Sequence, residues 1–221
     1  MACALVVGAN RGIGLELCRQ MAGRGDRVIA TCRRSSADLE ALRGIEVHTG
    51  VDVTAPASVD ALTDELGDHT LDLLVIVAGV LKRVDLEGFD ADVVREQFEV
   101  NALGALATTV SLLRCLKDGS KIGLLTSRMG SLADNTSGGS YGYRMSKAAL
   151  NMAGRSLALD LRPRGIAVAI LHPGWVQTDM TSGQGLIDAA TSAAGLIERL
   201  DELTLATSGT FVHESGELLP W

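Results

Sequence analysis

The chain has 221 residues, 47% of them hydrophobic and 21% charged, with a formal net charge of −7, a composition that suits a globular protein rather than a disordered one. A field of that sign repels phosphate backbones, which excludes nucleic acid as an expected partner. Aromatic residues make up only 3%, so the core falls to Val, Leu, Ile and Ala.

Met1 to Val7 is apolar but lacks a basic flank and runs straight into glycines, so it reads as a strand (Ala2–Val7) and not as a signal peptide. The loop Gly8-Ala9-Asn10-Arg11-Gly12-Ile13-Gly14 follows and opens a helical pattern, Gly12–Met21. Glycines there let backbone N–H groups approach a phosphate, and the helix start adds a partial positive charge. The spacing is G-x-x-x-G-x-G, and strand-to-helix turns also use glycine for steric reasons alone. Its place after the first strand favours a dinucleotide. The second strand, Arg27–Cys32, ends in Thr31-Cys32-Arg33-Arg34 without the acid that an NAD-preferring site uses on the ribose hydroxyls. Guanidinium groups of Arg33 and Arg11 match a 2′-phosphate, so the expected cofactor is NADP(H).

Further along, Ile45–Thr49 reads as a strand and Ala57–Leu66 as a helix, with Pro56 in its first turn behind Thr54. Leu71–Val77 is the next strand; the apolar stretch to Leu81 is interrupted by Asp72 and too short to span a bilayer, so no membrane partner is expected. Val93–Leu116 shows helical periodicity, Lys121–Thr126 reads as a strand, and Ser146–Leu161 as a helix stopped by Pro163 and Gly165. Ile166–Leu171 is a sixth strand, and Thr210–Val212 a short last one. Between them, residues 175–203 break the alternation with a loop, Thr178–Gly185, and then a helix, where a substrate lid would sit. The βαβ alternation predicts an α/β fold: one Rossmann-type domain over residues 1–221, a doubly wound parallel sheet with helices on both faces.

Tyr143 and Lys147 stand four apart at the start of a helical pattern, hence on one face. A free phenol titrates near ~10, and an ammonium beside it would favour the phenolate. The pair follows a glycine-rich loop after the fifth strand, at the edge where an open α/β sheet binds its ligand. Ser127, just past that strand, can polarise a carbonyl, with Ser131 the competing candidate. His172 is expected to be structural. Cys3, Cys18, Cys32 and Cys115 show no metal-ligand or redox spacing and read as small core residues in a reducing cytoplasm, with no metal site.

The ordered set Gly8-x-x-x-Gly12-x-Gly14, Asp52, Ala78-Gly79, Asn101, Ser127, Tyr143-x-x-x-Lys147 and Pro173-Gly174 resembles the short-chain dehydrogenase/reductase family. The runs Tyr141–Asn151, Leu171–Met180 and Leu219-Pro220-Trp221 resemble its C-factor-like and sniffer-like carbonyl reductase branch. The resemblance implies that Tyr143 is the general acid in reduction of a small carbonyl (or base toward an alcohol), Lys147 binds ribose, Ser127 orients the carbonyl and Asn101 anchors a proton relay. It places Asn10 and Ile13 with the glycines at the diphosphate, Asp52 and Val53 at the adenine, and Ala78, Gly79, Pro173, Gly174, Val176 and Thr178 along the rest of the cofactor. It also implies a homo-oligomer, dimer or tetramer, through the two long helices. Two departures stand out: Ile76-Val77 where the family usually has two asparagines, and Val7 where it commonly has threonine. A dinucleotide-binding signalling protein with little or no turnover is the alternative function.

Overall fold

The computed structural model describes residues 2–67 and 71–221. Among them, strand β1 (Cys3–Val7) leads into helix α1 (Gly12–Gly23), β2 (Arg27–Thr31), a short α2 (Ala37–Glu40), β3 (Ile45–His48), α3 (Pro56–Leu66) and β4 (Leu71–Ile76). Then come α4 (Ala91–Phe98), α5 (Ala105–Leu112), β5 (Leu116–Leu125), α6 (Tyr141–Asp160), β6 (Ala167–His172), α7 (Ala189–Glu202) and β7 (Phe211–His213).

Seven strands form one sheet in the order β3-β2-β1-β4-β5-β6-β7, and every pairing is parallel. The chain winds outward from β1 to β3, then crosses to the other side of β1 at β4. Connections therefore diverge at the carboxyl ends of β1 and β4, and a crevice for a ligand opens there.

The central strands carry apolar residues at consecutive positions because both of their faces are covered. On one face, Leu17, Cys18 and Met21 of α1 and Leu196 and Leu200 of α7 pack on Val6, Val28 and Val75. On the other, Leu62 of α3, Leu112 of α5 and Leu150 and Leu157 of α6 pack on Leu5, Leu74, Ile122 and Val168. Each such buried side chain is worth about 1.5–3 kcal/mol. The four cysteines are free, and burial pushes the Cys18 thiol up to about 12.

Two expectations about the elements need correction. The helix expected over Val93–Leu116 is broken: α4 ends at Phe98, a π-helical stretch runs over Glu99–Gly104, α5 ends at Leu112, and Leu116 already pairs with Leu71 in the sheet. A Cβ on Gly104 would lie 2.7 Å from the Val53 carbonyl oxygen, so the helix is pressed against the loop after β3 at the point where it widens. The helix expected from Ser146 begins at Tyr141, after two left-handed glycines, Gly138 and Gly139. Pro56 stands in the first turn of α3, as expected, with Ala55 as its N-cap.

Candidate active site

The glycine loop is stitched to the second strand: the N–H groups of Gly8 and Ala9 both donate to the Thr31 carbonyl, at 2.9 and 3.0 Å. Gly8 has φ +94°, and a Cβ there would lie 2.7 Å from the Ala78 nitrogen; at Gly14 it would lie 2.2 Å from the Gly8 carbonyl oxygen. Neither position has room for a side chain. Arg11, the N-cap of α1, makes no side-chain capping bond, and the first turn holds no acid. Its N–H groups are thus free of a capping side chain and point at the crevice end of β1, the chemistry of an anion cradle. Across the crevice, the Thr178 methyl would be 3.4 Å from a Cβ on Gly12, so the loop after β6 closes on the glycine loop.

Arg33, Asp52 and Val53 come together past β2 and β3, where Gly50 and Val51 donate backbone bonds to Arg33 and Cys32. The Arg33 guanidinium lies 3.9 Å from the Asp52 carboxylate and is 73% exposed. The Thr54 N–H, with the Thr54 hydroxyl and Arg33, holds Asp52 below the usual carboxylate range against the opposing effect of burial. Arg11 does not stand ready as a second cation beside Arg33. It pairs instead with Asp179 at 3.0 Å, both groups largely exposed, because the loop after β6 presents a carboxylate within reach.

Past β4, Val77 and Ala78 donate to the Val7 carbonyl. Ile76 is buried and Val77 packs on the core, so apolar contact braces the sheet where the family usually has two amides. Gly79 faces the reacting side chains: a Cβ on it would be 3.2 Å from Asn101 Oδ1 and 3.5 Å from Lys147 Nζ. Asn101 sits in the π-helical stretch, fully buried, and its Oδ1 accepts from Val80 N at 2.8 Å. Its Nδ2 donates to the Val80 carbonyl at 2.9 Å and to Ser146 Oγ at 3.0 Å. The widened turn is what carries this amide toward the loop after β4; such bulges recur at functional sites.

Tyr143 and Lys147 lie one turn apart on α6, both buried. Lys147 Nζ donates to the Leu125 carbonyl at 2.8 Å and stands 5.8 Å from the Tyr143 ring centroid. Burial pushes the Tyr143 phenol up to about 12, although a hydrogen bond with Ser127 opposes the rise. Burial pushes Lys147 down to about 8. The expected depression of the phenol by the ammonium is therefore absent from this arrangement: desolvation outweighs it, and the ammonium faces a carbonyl.

Ser127, rather than Ser131, contacts Tyr143. Ser131 Oγ instead accepts from Asp134 N at 3.1 Å, a loop-capping role. His172 is held neutral, pushed down to about 3 by burial and by His213 and Arg128. Its ring meets that of His213 edge-on, with centroids 4.9 Å apart. Beyond it, the Pro173 carbonyl accepts from Ser192 Oγ at 2.7 Å, Gly174 has φ +84°, and Val176 is buried. Thr178 caps the short turn Asp179–Thr181.

Sequence reasoning assigned nothing to Ser146 and Asn151. Ser146 Oγ donates to the Tyr143 carbonyl at 2.9 Å and links it to Asn101. Asn151 Oδ1 accepts from Thr126 Oγ1 at 2.6 Å, tying α6 to the end of β5. Continuing the four-residue step from Tyr143 through Lys147 would have pointed to Asn151.

A family model for short chain dehydrogenases matches residues 2–186. The chain belongs to the short-chain dehydrogenase family. Across the full length of both chains it is 46% identical to the 1-hydroxy-2-glutathionyl-2-methyl-3-butene dehydrogenase of Rhodococcus sp. (strain AD45). It is 49% identical to the C-signal protein of Myxococcus xanthus over 59% of this chain and 80% of that one. Among solved structures, the carbonyl reductase Sniffer of D. melanogaster superposes with a TM-score of 0.93, 28% identity and full coverage of both chains. An NADPH-bound carbonyl reductase from chicken fatty liver gives 0.91 at 29% identity, covering 100% of this chain and 99% of that one. This short-chain dehydrogenase thus has the Rossmann-type sheet, and it is an oxidoreductase whose structural neighbours include carbonyl reductases. Among its described residues no helix is long and apolar enough to cross a membrane, and no group of three or more His, Cys, Asp and Glu is gathered to hold a metal.

Proposed function

We propose that this short-chain dehydrogenase is an NADPH-dependent carbonyl reductase acting on small aldehydes or ketones. The observation that carries the reading is the buried Tyr143, beside Ser127 and one helical turn from a buried lysine, at the crevice end of the sheet. The uncapped α1 terminus and the side-chain-free surfaces of Gly8 and Gly14 fit a dinucleotide diphosphate, and Arg33 fits the 2′-phosphate. Bound there, NADPH supplies the hydride. Tyr143 and Ser127 hold the carbonyl oxygen between two hydroxyls, and Tyr143 gives it a proton. A phenol pushed up to about 12 stays protonated at neutral pH, which suits an acid and hence reduction. Lys147 brings a half-used ammonium to the ribose side, and Asn101, through Ser146 and Val80, anchors the proton path behind it.

NADPH consumption against a panel of aldehydes, ketones and quinones, with NADH in parallel, tests the reading. Turnover that survives Tyr143→Phe would sink the assignment of the acid. The likeness to C-signal favours a second reading, a dinucleotide-binding regulatory protein. Tight NADPH binding without turnover on any member of the panel would select it.

The same proposal includes a homo-oligomer in the cytoplasm. Leu103 in the π-helical stretch and Val110 on α5, with Met145, Met152 and Leu159 on α6, are large, exposed and seven residues apart along each segment, an apolar stripe of the kind covered by a second copy. Light scattering on Met152→Lys reads it: an unchanged mass removes this face from the interface. Four free thiols fit a reducing compartment.

A further inference from the structure

Ser127 leaves the sheet to cap the short turn that follows: its Oγ accepts from Met129 N at 3.2 Å and its carbonyl from Gly130 N at 2.8 Å. The Thr126 N–H makes its bond to the Leu171 carbonyl at 2.8 Å, and beyond it the chain enters the short turn Arg128–Gly130. One side of this turn rests on α6: a Cβ on Gly130 would lie 2.8 Å from the Lys147 backbone, and Asn151 Nδ2 donates to the Gly130 carbonyl at 3.3 Å. The other side is gripped by residues 213–221, which fold back along β7.

That segment is itself anchored. The His213 N–H donates to the Glu217 carbonyl at 2.8 Å, and the Leu219 N–H to the Phe211 carbonyl at 2.9 Å. Leu219 is buried with Ile170 and Phe211, and the Trp221 ring stacks on Phe211 with centroids 5.5 Å apart. From this base Glu217 accepts from Arg128 Nη2 at 2.7 Å, and the Trp221 carbonyl accepts from Ala133 N at 2.9 Å. Asp134 lies 3.7 Å from the same guanidinium.

We propose that Arg128 and Glu217 are positioning residues, a strut through which the C-terminal segment holds the Ser127 hydroxyl in line with Tyr143. The inference rests on the carbonyl-reductase reading above. Magnitudes separate this role from a stabilising one. Arg128 and Glu217 are 41% and 56% exposed, and an exposed ion pair contributes ~1 kcal/mol or less to folding. A displacement of about 1 Å in a group that orients the substrate can cost roughly a hundredfold in rate. Breaking the strut therefore slows turnover with little change in stability.

The test is a double-mutant cycle in the full chain with NADPH and a carbonyl from the active panel. Glu217→Gln and Arg128→Gln each lower kcat roughly tenfold, with KM changed by less than about twofold. In a Ser127→Ala background, Glu217→Gln costs no further rate, because the strut acts through the hydroxyl that is gone. Amide hydrogen exchange over residues 127–133 also rises in Glu217→Gln, a readout that needs no turnover. Normal kcat in Glu217→Gln, an equal fold-loss in the Ser127→Ala background, or unchanged exchange overturns the inference alone. A wild-type chain with no turnover on any carbonyl overturns the reductase reading, and the strut's catalytic sense falls with it.

Discussion

Lys147 stands 5.8 Å from the centre of the Tyr143 ring, yet its hydrogen bond goes to the Leu125 carbonyl. Both side chains are buried, and the burial moves them in opposite directions: the phenol up to about 12, the ammonium down to about 8. The two groups are therefore most at ease neutral, and the charged lysine is held in place at a cost to the fold.

That cost has a sign and a pH window. The unfolded lysine titrates near ~10.4. Between about 8 and that value the unfolded chain binds more protons than the folded one, so this residue's contribution to stability rises with pH across the interval and is least favourable below it. Lys147→Met keeps the reach and removes the charge. We expect the cofactor-free variant to melt a few degrees higher at pH 7, with the gain shrinking toward pH 10, while carbonyl reduction falls by at least a hundredfold. A lower melting point at pH 7 would show that the bond to Leu125 outweighs the burial penalty.

The glycine loop gives a steric prediction. At Gly14 a Cβ would sit 2.2 Å from the Gly8 carbonyl oxygen, a backbone atom that cannot swing aside. Gly14→Ala should destabilise by roughly 2 kcal/mol or more and abolish NADPH binding. At Gly23, the last residue of α1, a Cβ meets nothing within 4 Å. Gly23→Ala should be neutral or stabilising by up to ~1 kcal/mol. Urea unfolding of both variants checks the pair; equal effects would mean that the tight approach of Gly14 to Gly8 is not what fixes the loop.

The sheet was legible because its strands carry unbroken apolar runs and its turns carry glycine. The candidate side chains were legible because few residue types can do their chemistry and because Tyr143 and Lys147 stand one turn apart at the start of a helix. The break between Phe98 and Ala105 was not legible: the periodicity of Val93–Leu116 continues through it, while the π-helical widening lies where Gly104 closely approaches the distant Val53 carbonyl. Arg11 illustrates a different limit. Its place in the glycine loop suggested a phosphate ligand, but the partner it takes, Asp179, lies 168 residues along the chain. The competition between Ser127 and Ser131 likewise turned on which hydroxyl meets α6, a matter of packing rather than of pattern.

The proposed preference for NADPH makes a prediction at Arg33. Its nearest carboxylate, Asp52, is 3.9 Å away, and the guanidinium is 73% exposed, so it remains available to a 2′-phosphate. A charge-assisted pair of this kind is worth about 1.5–3 kcal/mol. Arg33→Gln should raise the Kd for NADPH roughly tenfold to a hundredfold and leave that for NADH within about twofold. Fluorescence titration with both cofactors decides; equal weakening of the two would assign Arg33 to the loop's structure and not to the phosphate.

A last prediction concerns the far edge of the sheet. His48 on β3 bonds through Nε2 to Glu46 and through Nδ1 to Glu65, each at 2.9 Å. Burial alone would lower its pKa, but the two carboxylates together outweigh it and raise the value above that of a free imidazole. The sign follows from linkage. The stabilisation is fully present below the unfolded value of about 6.5 and is lost as pH rises through the higher folded value. His48→Gln keeps a hydrogen-bonding side chain without the titration. The urea midpoint should drop relative to wild type at pH 5.5 and converge with it by pH 8.5. Glu46 also faces Arg27, so the carboxylate keeps one cationic partner at either pH. A deficit that is the same at both values would mean that packing at the edge strand, and not the charged imidazole, is what the substitution removes.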